Sequence, residues 1–404
     1  MKVHDMEVHD MKANDMKANN MKPNDVGTNE MEANDMKAND MKANNMKPND
    51  VGTNDMEAND MEANDMEAND MKVNDMEADD LEANDKANNR KHVDQRHIEV
   101  WIHRNARELE LAKWNYYFAN GSKEAVVNAL MHYQNADGGF GNGIDPDNWN
   151  YNSIPYGLYY VLEVMDEIEF YDMQHPIYAG IKKYLDCHSN FPEGWIFTVP
   201  TNGDYPHASF YNYDKAYNSI ESRGIHLRFC AFILEHYPES ILYPSVLDLI
   251  KTMMDGLKDD HLGDMGPSGY ISLINAMKRV NLEGYDYDRL EKELIEIVNK
   301  SIQRDPAQWP SYGYRPSDYI KSKDSIFYPG NEDLVETELD FLADTLPEHD
   351  VWPISWCWFE NYEKYPKEFV ISENWAKAYK AIEKTNFLKR FGRLDPQSEK
   401  MDQL

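Results

Sequence analysis

The chain has 404 residues and a net charge of −32. By count, 10 Lys and Arg against 23 Asp and Glu leave −13 on residues 1–90 and −19 on the rest. Both parts therefore repel phosphate backbones and anionic membranes, and a nucleic-acid partner is excluded.

No apolar run reaches the roughly 18 residues of a membrane span, and the N-terminus has no signal-peptide apolar core. Cys187, Cys230 and Cys357 are widely spaced with no Cys-x-x-Cys pair. Buried thiols in a reducing, cytoplasmic setting fit that usage.

Residues 1–90 are low in complexity. A five-residue unit, roughly Met-Lys/Glu-Ala-Asn-Asp, repeats from Met1 to Met76, and residues 11–30 recur almost unchanged at 36–55. A period of five matches neither the helix nor the strand, so the methionines never share a face. With so little apolar surface the segment cannot offset its ordering entropy, and disorder is expected. A square β-helix built on a five-residue unit is the competing fold. Asn at the tight inward position, as at Asn14 before Met16, argues against it.

Residues 95–395 are read as one domain. A helix is expected over 97–118, from the stripe of Ile98, Trp101, Ile102, Leu109, Ala112 and Tyr116. Ser122 is a candidate N-cap for a second helix reaching about Tyr133. Further helices are expected near 155–169, 175–187, 215–237, 241–256, 267–280, 287–302, 331–346 and 367–391. Alternating stretches long enough to build a sheet are missing. The class is all-α, and helices of similar length in series suggest stacked or circular hairpins.

The sharpest motif is Gln134-Asn135-Ala136-Asp137-Gly138-Gly139-Phe140-Gly141-Asn142-Gly143. It reads as a helix stop and a rigid turn, with glycines where positive φ is needed and Gln134 free to bond loop backbone. It resembles the Gln-x-x-Asp-Gly-x-Trp hairpin element of squalene cyclases, with Phe140 where Trp is usual. Weaker echoes are Phe191-Pro192-Glu193-Gly194-Trp195, the Gly263-to-Gly269 loop, Ala307-Gln308-Trp309-Pro310 and His349-Asp350-Val351-Trp352-Pro353. Arg104-x-x-Arg107-x-Leu109-Glu110, Gly143-Ile144-Asp145-Pro146-Asp147, Asn202-x-Asp204-Tyr205-Pro206-His207 and Trp352-Pro353-x-Ser355-Trp356-x-Trp358 are similar to bacterial prenyltransferase-like proteins. These belong to the terpenoid-cyclase and protein-prenyltransferase superfamily. The resemblance implies an α/α toroid of stacked helical hairpins over nearly all of 100–395. It implies little about the reaction.

The hallmarks of the better-known relatives are missing. No Asp-x-Asp-Asp acid motif occurs in the globular part. The Asp259-Asp260-His261-Leu262-Gly263-Asp264 run is one residue too long for a magnesium-binding Asp-Asp-x-x-Asp and reads as a helix end and solvated turn. Asp186 and Cys187 are adjacent rather than spaced as a zinc pair, and no basic cluster exists for a diphosphate. No metal and no cofactor are expected.

The candidate site residues lie in the hairpin loops. Asp145 and Asp147 flank Pro146; they form an acid–base pair if aromatic walls desolvate one of them, or else cap the turn and the next helix. Asp204 and His207, with Tyr205 between them, allow a carboxylate-oriented His, or an ordinary Pro-stiffened loop. Trp195, Trp352, Trp356 and Trp358 either stack on a substrate or anchor the core. Arg104, Arg107 and Glu110 share a helical face and read as a structural ion-pair set. The leading expectation is a prenyltransferase- or terpenoid-cyclase-like toroid performing acid-catalysed chemistry on an apolar, isoprenoid substrate. The alternatives are a carbohydrate-active glycosidase or lyase using paired carboxylates, and a non-catalytic binding or scaffold toroid. The ligand is accordingly a small apolar molecule or a sugar, and the oligomeric state is open.

Overall fold

The computed structural model describes residues 90–187, 191–259 and 261–396. The chain divides into two units, Met1–Asp70 and Met71–Leu404, and every described residue belongs to the second. The disordered tail expected over 1–90 falls, up to residue 89, outside the described residues, as does Asp260.

The described residues are all-α, as expected. The helices are α1 (Arg96–Asn105), α2 (Glu108–Phe118), α3 (Lys123–Met131), α4 (Pro155–Glu167), α5 (Pro176–Cys187), α6 (Lys215–His236) and α7 (Tyr243–Asp255). They continue with α8 (Gly266–Arg279), α9 (Tyr287–Ser301), the short α10 (Pro316–Tyr319), α11 (Glu332–Thr345), the short α12 (Glu360–Lys364) and α13 (Pro366–Arg390). Starts follow local chemistry. Ser122 accepts from the Ala125 amide at 3.1 Å, Asp214 accepts from the Ala216 and Tyr217 amides, and proline opens α4, α10 and α13.

One expected helix is two. The stretch 97–118 breaks at Ala106 and Arg107, both extended, with no Gly or Pro to announce it. The break turns Arg107 inward. Its guanidinium donates to the carbonyls of Gly143 (2.6 Å) and Ile144 (3.2 Å) and to both oxygens of the fully buried Glu110. Arg104 stays exposed, outside the expected ion-pair set.

Helix α6 is buried on most sides and packs against α4, α7 and α8. Gly224 on α6 and Gly269 on α8 let those backbones approach: a Cβ on Gly224 would sit 2.3 Å from the Met265 side chain. The two ends of the domain meet. Helices α1 and α2 pack on α13, and Val93 exchanges backbone bonds with Arg393 and Asp395. The Arg393 side chain, 1% exposed, binds Glu336, Asp340 and the Lys91 carbonyl beneath that junction. Among the cysteines Cys230 is buried and burial pushes its thiol up, whereas Cys187 is exposed at the end of α5, against the expectation of buried thiols. No helix among the described residues is long and apolar enough to cross a membrane.

Candidate functional site

The Gln134 turn forms as its composition implies. Gln134 Nε2 donates to the Gly138 and Ile177 carbonyls, the latter on α5, and Phe140 is fully buried. Gly138 adopts φ +93°, and a Cβ there would lie 2.0 Å from the Gly180 carbonyl. The turn is thereby pinned to α5 and launches the 141–153 loop from a fixed point.

That loop carries Asp145 and Asp147, 8% and 6% exposed. Asp145 Oδ1 accepts from the Asp147 amide at 2.6 Å, and its Oδ2 accepts from the Tyr211 hydroxyl at 2.5 Å. The first bond is the turn cap considered for Asp145. Asp147 does not cap the next helix, which begins only at Pro155. Its Oδ1 accepts from Trp358 Nε1 at 2.6 Å and its Oδ2 from Trp356 Nε1 at 2.7 Å. Burial raises both carboxyls above their ordinary range. For Asp147, burial and the neighbouring Asp145 charge outweigh the two indole donors and push it up to about 7. For Asp145, the Tyr211 hydroxyl and the Asp147 amide oppose the effect of burial.

Three loops, from 143–153, 200–212 and 352–361, are knitted around this pair. The Trp149 amide donates to the Pro206 carbonyl, the Ala208 amide to the Asp147 carbonyl and the Ser209 amide to the Trp358 carbonyl. Asn148, Asn150 and Asn202, all buried, form an amide ladder that ends on the Tyr211 carbonyl. Trp149 stacks on Trp375 and donates to Ser372 Oγ at 2.8 Å, tying the loop to α13.

His207 is 2% exposed and belongs to this knot. Its Nδ1–H donates to the Tyr205 carbonyl at 2.6 Å, and Nε2 lies 2.8 Å from Asn212 Oδ1. The carboxylate–histidine pair expected with Asp204 is not formed. Asp204 ends a 3-10 turn (Pro200–Asp204) and Tyr205 is extended, so the Asp204 side chain stays exposed while His207 turns inward. Tyr205 is half-buried against Tyr151.

The tryptophans divide. Trp356, half-buried, and Trp358, fully buried, hold Asp147. Trp195 and Trp352 take the core role considered for them: Trp195 packs edge-on to Phe191 and Phe229, and Trp352 Nε1 donates to the Leu342 carbonyl.

No family model matches the chain, and neither a curated protein nor a solved structure matches it.

Around the carboxyl pair the walls are tyrosines and ion pairs. Tyr156 on α4 and Tyr379 on α13 are partly accessible to water, yet burial pushes both phenols well above their ordinary range, with Asp145 among the charges each feels. Tyr160, one turn further along α4, has Lys113, Glu110, Arg107 and Glu383 as charged neighbours, so α2, α4 and α13 converge there. Lys113 pairs with Glu167 at 2.7 Å and Lys380 with Glu383 at 2.8 Å. The Glu383 side chain is nonetheless 40% exposed, so this interior admits water. Arg107, beside Glu110 and over the faces of Tyr133 and Trp375, is a cation whose charge opposes the rise of both carboxyls. Burial alone would lower its pKa; the Glu110 carboxylate prevails and raises it.

A cleft of about 690 Å³ lies elsewhere, along α6 and α7, lined by Lys215, Asn218, Ser222, Arg223, His226 and Asp259. None of the expected site residues lines it. Among the described residues no group of three or more His, Cys, Asp or Glu is arranged to hold a metal ion.

Sequence reasoning found both carboxylates and both tryptophans of the pair. It missed Tyr211, Tyr156, Tyr379 and the asparagine ladder. The density of Asn and Tyr in 148–156 and 202–213 hinted at Tyr156, Tyr211 and the ladder; nothing local marked Tyr379.

Proposed function

We propose that this chain is an acid–base enzyme acting on a hydroxylated, carbohydrate-like substrate, with Asp147 as proton donor and Asp145 as its ionised partner. The observation that carries the reading is the pair of buried carboxyls in unlike surroundings. Asp147 is raised to about 7, the range in which a carboxylic acid can deliver a proton at neutral pH. Asp145, held by a phenol and an amide, is the better anion of the two and suits acceptance of a proton from water or stabilisation of developing positive charge.

The lining supports the choice of substrate class. Tyr156 and Tyr379 offer hydroxyls near the carboxyls, and the half-buried indole of Trp356 offers a flat apolar face. A sugar ring uses both kinds of surface. A hydrocarbon chain would leave the phenols and the Lys380–Glu383 and Lys113–Glu167 pairs without a role. The apolar, isoprenoid-type reading keeps the support of the Trp356 indole alone.

The test is turnover of a panel of oligosaccharides and aryl glycosides by the full-length protein, read by mass spectrometry of the products and repeated with Tyr379→Phe and Asp147→Asn. One substrate class should be cleaved, and Asp147→Asn should lower kcat by about 10²–10⁴. If no sugar is bound or cleaved and the purified protein retains an apolar lipid in native mass spectra, the isoprenoid reading replaces this one. If neither occurs and Asp147→Asn alters only the melting temperature, the pair is a structural staple.

A further inference from the structure

The carboxyl pair stands at one end of a run of aromatic rings. Tyr211, which donates to Asp145, packs against Tyr156 and Phe197, with ring centroids 5.7 and 5.1 Å away. Phe197 in turn meets Tyr217, in the first turn of α6, at 5.9 Å. Tyr211 and Phe197 are buried and back the run, while Tyr156 and Tyr217 are partly accessible to water.

The run continues across two further loops. Glu221 stands one turn after Tyr217 on α6 and so shares its face. Its Oε2 accepts from the Asp264 amide at 2.9 Å. A Cβ on Gly263, which adopts φ +72°, would lie 3.1 Å from the Ile220 carbonyl, so this loop rests directly on that turn of α6. Asp264 is exposed and accepts from the Tyr312 hydroxyl at 3.0 Å. Tyr312 is 60% exposed, and Tyr314 and Tyr319 stand behind it in a chain of ring contacts. Charge on Tyr312 acts on Tyr156, which sets its loop within electrostatic reach of the wall beside Asp145.

An exposed tyrosine is ordinary on a protein surface. This one has its hydroxyl tied to a carboxylate of another loop, which holds the ring in one orientation and lowers the entropy cost of stacking a ligand on it. The charges that bear on Tyr217 are the carboxylates of Glu221 and Asp264. Such groups accept hydroxyl donors and repel anions.

We propose that Tyr217, Asp264 and Tyr312 form a second sugar-binding subsite, remote from the reacting bond, and that the substrate is a neutral glycan chain rather than a single sugar. This rests on the carbohydrate reading of the carboxyl pair. The phenol rings take the apolar face of a distant sugar unit, and Asp264 accepts its hydroxyls. Binding energy from that unit offsets the cost of ordering the unit at Asp145 and Asp147, so it raises kcat as well as affinity.

The experiment compares kcat/KM of the full-length protein for the disaccharide and the tetrasaccharide of three neutral series: cellobiose and cellotetraose, maltose and maltotetraose, and N,N′-diacetylchitobiose and its tetrasaccharide. In the series that is cleaved, the wild type should favour the tetrasaccharide, and Tyr312→Ala should cut that preference by about tenfold. Tyr312→Phe keeps the ring but frees it from Asp264 and should lose less. If Tyr312→Ala does not fold, Asp264→Ala carries the comparison, with a loss of the same sign. A tetrasaccharide preference that is the same in the wild type and the variant overturns the subsite and leaves the carboxyl-pair reading in place. Cleavage of tetragalacturonate ahead of the neutral chains overturns the neutral-chain assignment. Wild type that turns over no chain at all overturns the carbohydrate reading, and the subsite with it.

Discussion

Replacing Asp147 by Asn removes one of two acceptors at the point where the 143–153 and 352–361 loops are joined. The carboxylate takes one indole N–H on each oxygen, from Trp358 at 2.6 Å and Trp356 at 2.7 Å. An amide keeps one acceptor and turns an NH₂ toward the other indole, leaving a buried donor unsatisfied, which costs about 1–3 kcal/mol. The charge works in the opposite direction. A carboxyl raised from near 4 to about 7 on folding adds stability below the unfolded pKa, and that stability is lost as pH rises through about 7. The full shift is worth up to about 4 kcal/mol, an upper bound because Asp145 shares the proton. Asn does not titrate. At pH 5 the variant should therefore be less stable than the wild type by about 1–3 kcal/mol, and by pH 8 the gap should close or reverse. Denaturant unfolding of both proteins at several pH values measures it, since the difference between the two isolates position 147. A gap that stays constant from pH 5 to pH 8 would refute the assignment of the raised carboxyl to Asp147.

Arg107→Ala leaves Glu110 as a buried charge without its partner and frees the Gly143 and Ile144 carbonyls, so a loss of about 3–5 kcal/mol is expected in denaturant unfolding. Arg107→Lys should recover only part of it, because an ammonium cannot serve Glu110 and both carbonyls in the same fork geometry; full recovery would show that charge alone matters. Gly138→Ala places a Cβ 2.0 Å from the Gly180 carbonyl at a φ of +93° and should cost more than about 3 kcal/mol, seen as lost soluble yield or a large fall in Tm. A variant melting with the wild type would mean that α5 can slide away from the turn.

What could be read from the chain and what could not separate along a physical line. Helix starts were legible wherever the cause is local: Ser122 caps α3, and prolines open α4 and α13. The break at Ala106–Arg107 was not, because its cause is the grip of Arg107 on carbonyls 36 and 37 residues away. The site divides in the same way. Asp145 and Asp147 stood out because a Gly-rich turn followed by Asp-Pro-Asp is a local pattern. Their chemistry is set by Tyr211, Trp356 and Trp358, which lie 66, 209 and 211 residues along the chain. Asp204 shows the converse. Proximity in sequence to His207 suggested a pair, but an extended Tyr205 puts successive side chains on opposite sides of the backbone.

The same reasoning explains why the tryptophans could not be sorted in advance. All four sit in loops, within two residues of Gly, Pro or a polar residue. An indole becomes core or site according to what its N–H finds. Trp352 finds a backbone carbonyl of α11, which fixes it as packing. Trp356 and Trp358 find a carboxylate, which couples their positions to the charge on Asp147. Protonation of that one group weakens two indole bonds at once, and these bonds join residues more than 200 positions apart. The loop junction and the proposed acid are therefore one device. Ionisation of Asp147 strengthens the two indole bonds but leaves a buried charge beside Asp145, and the second effect is the larger, so the junction is most stable while the acid holds its proton.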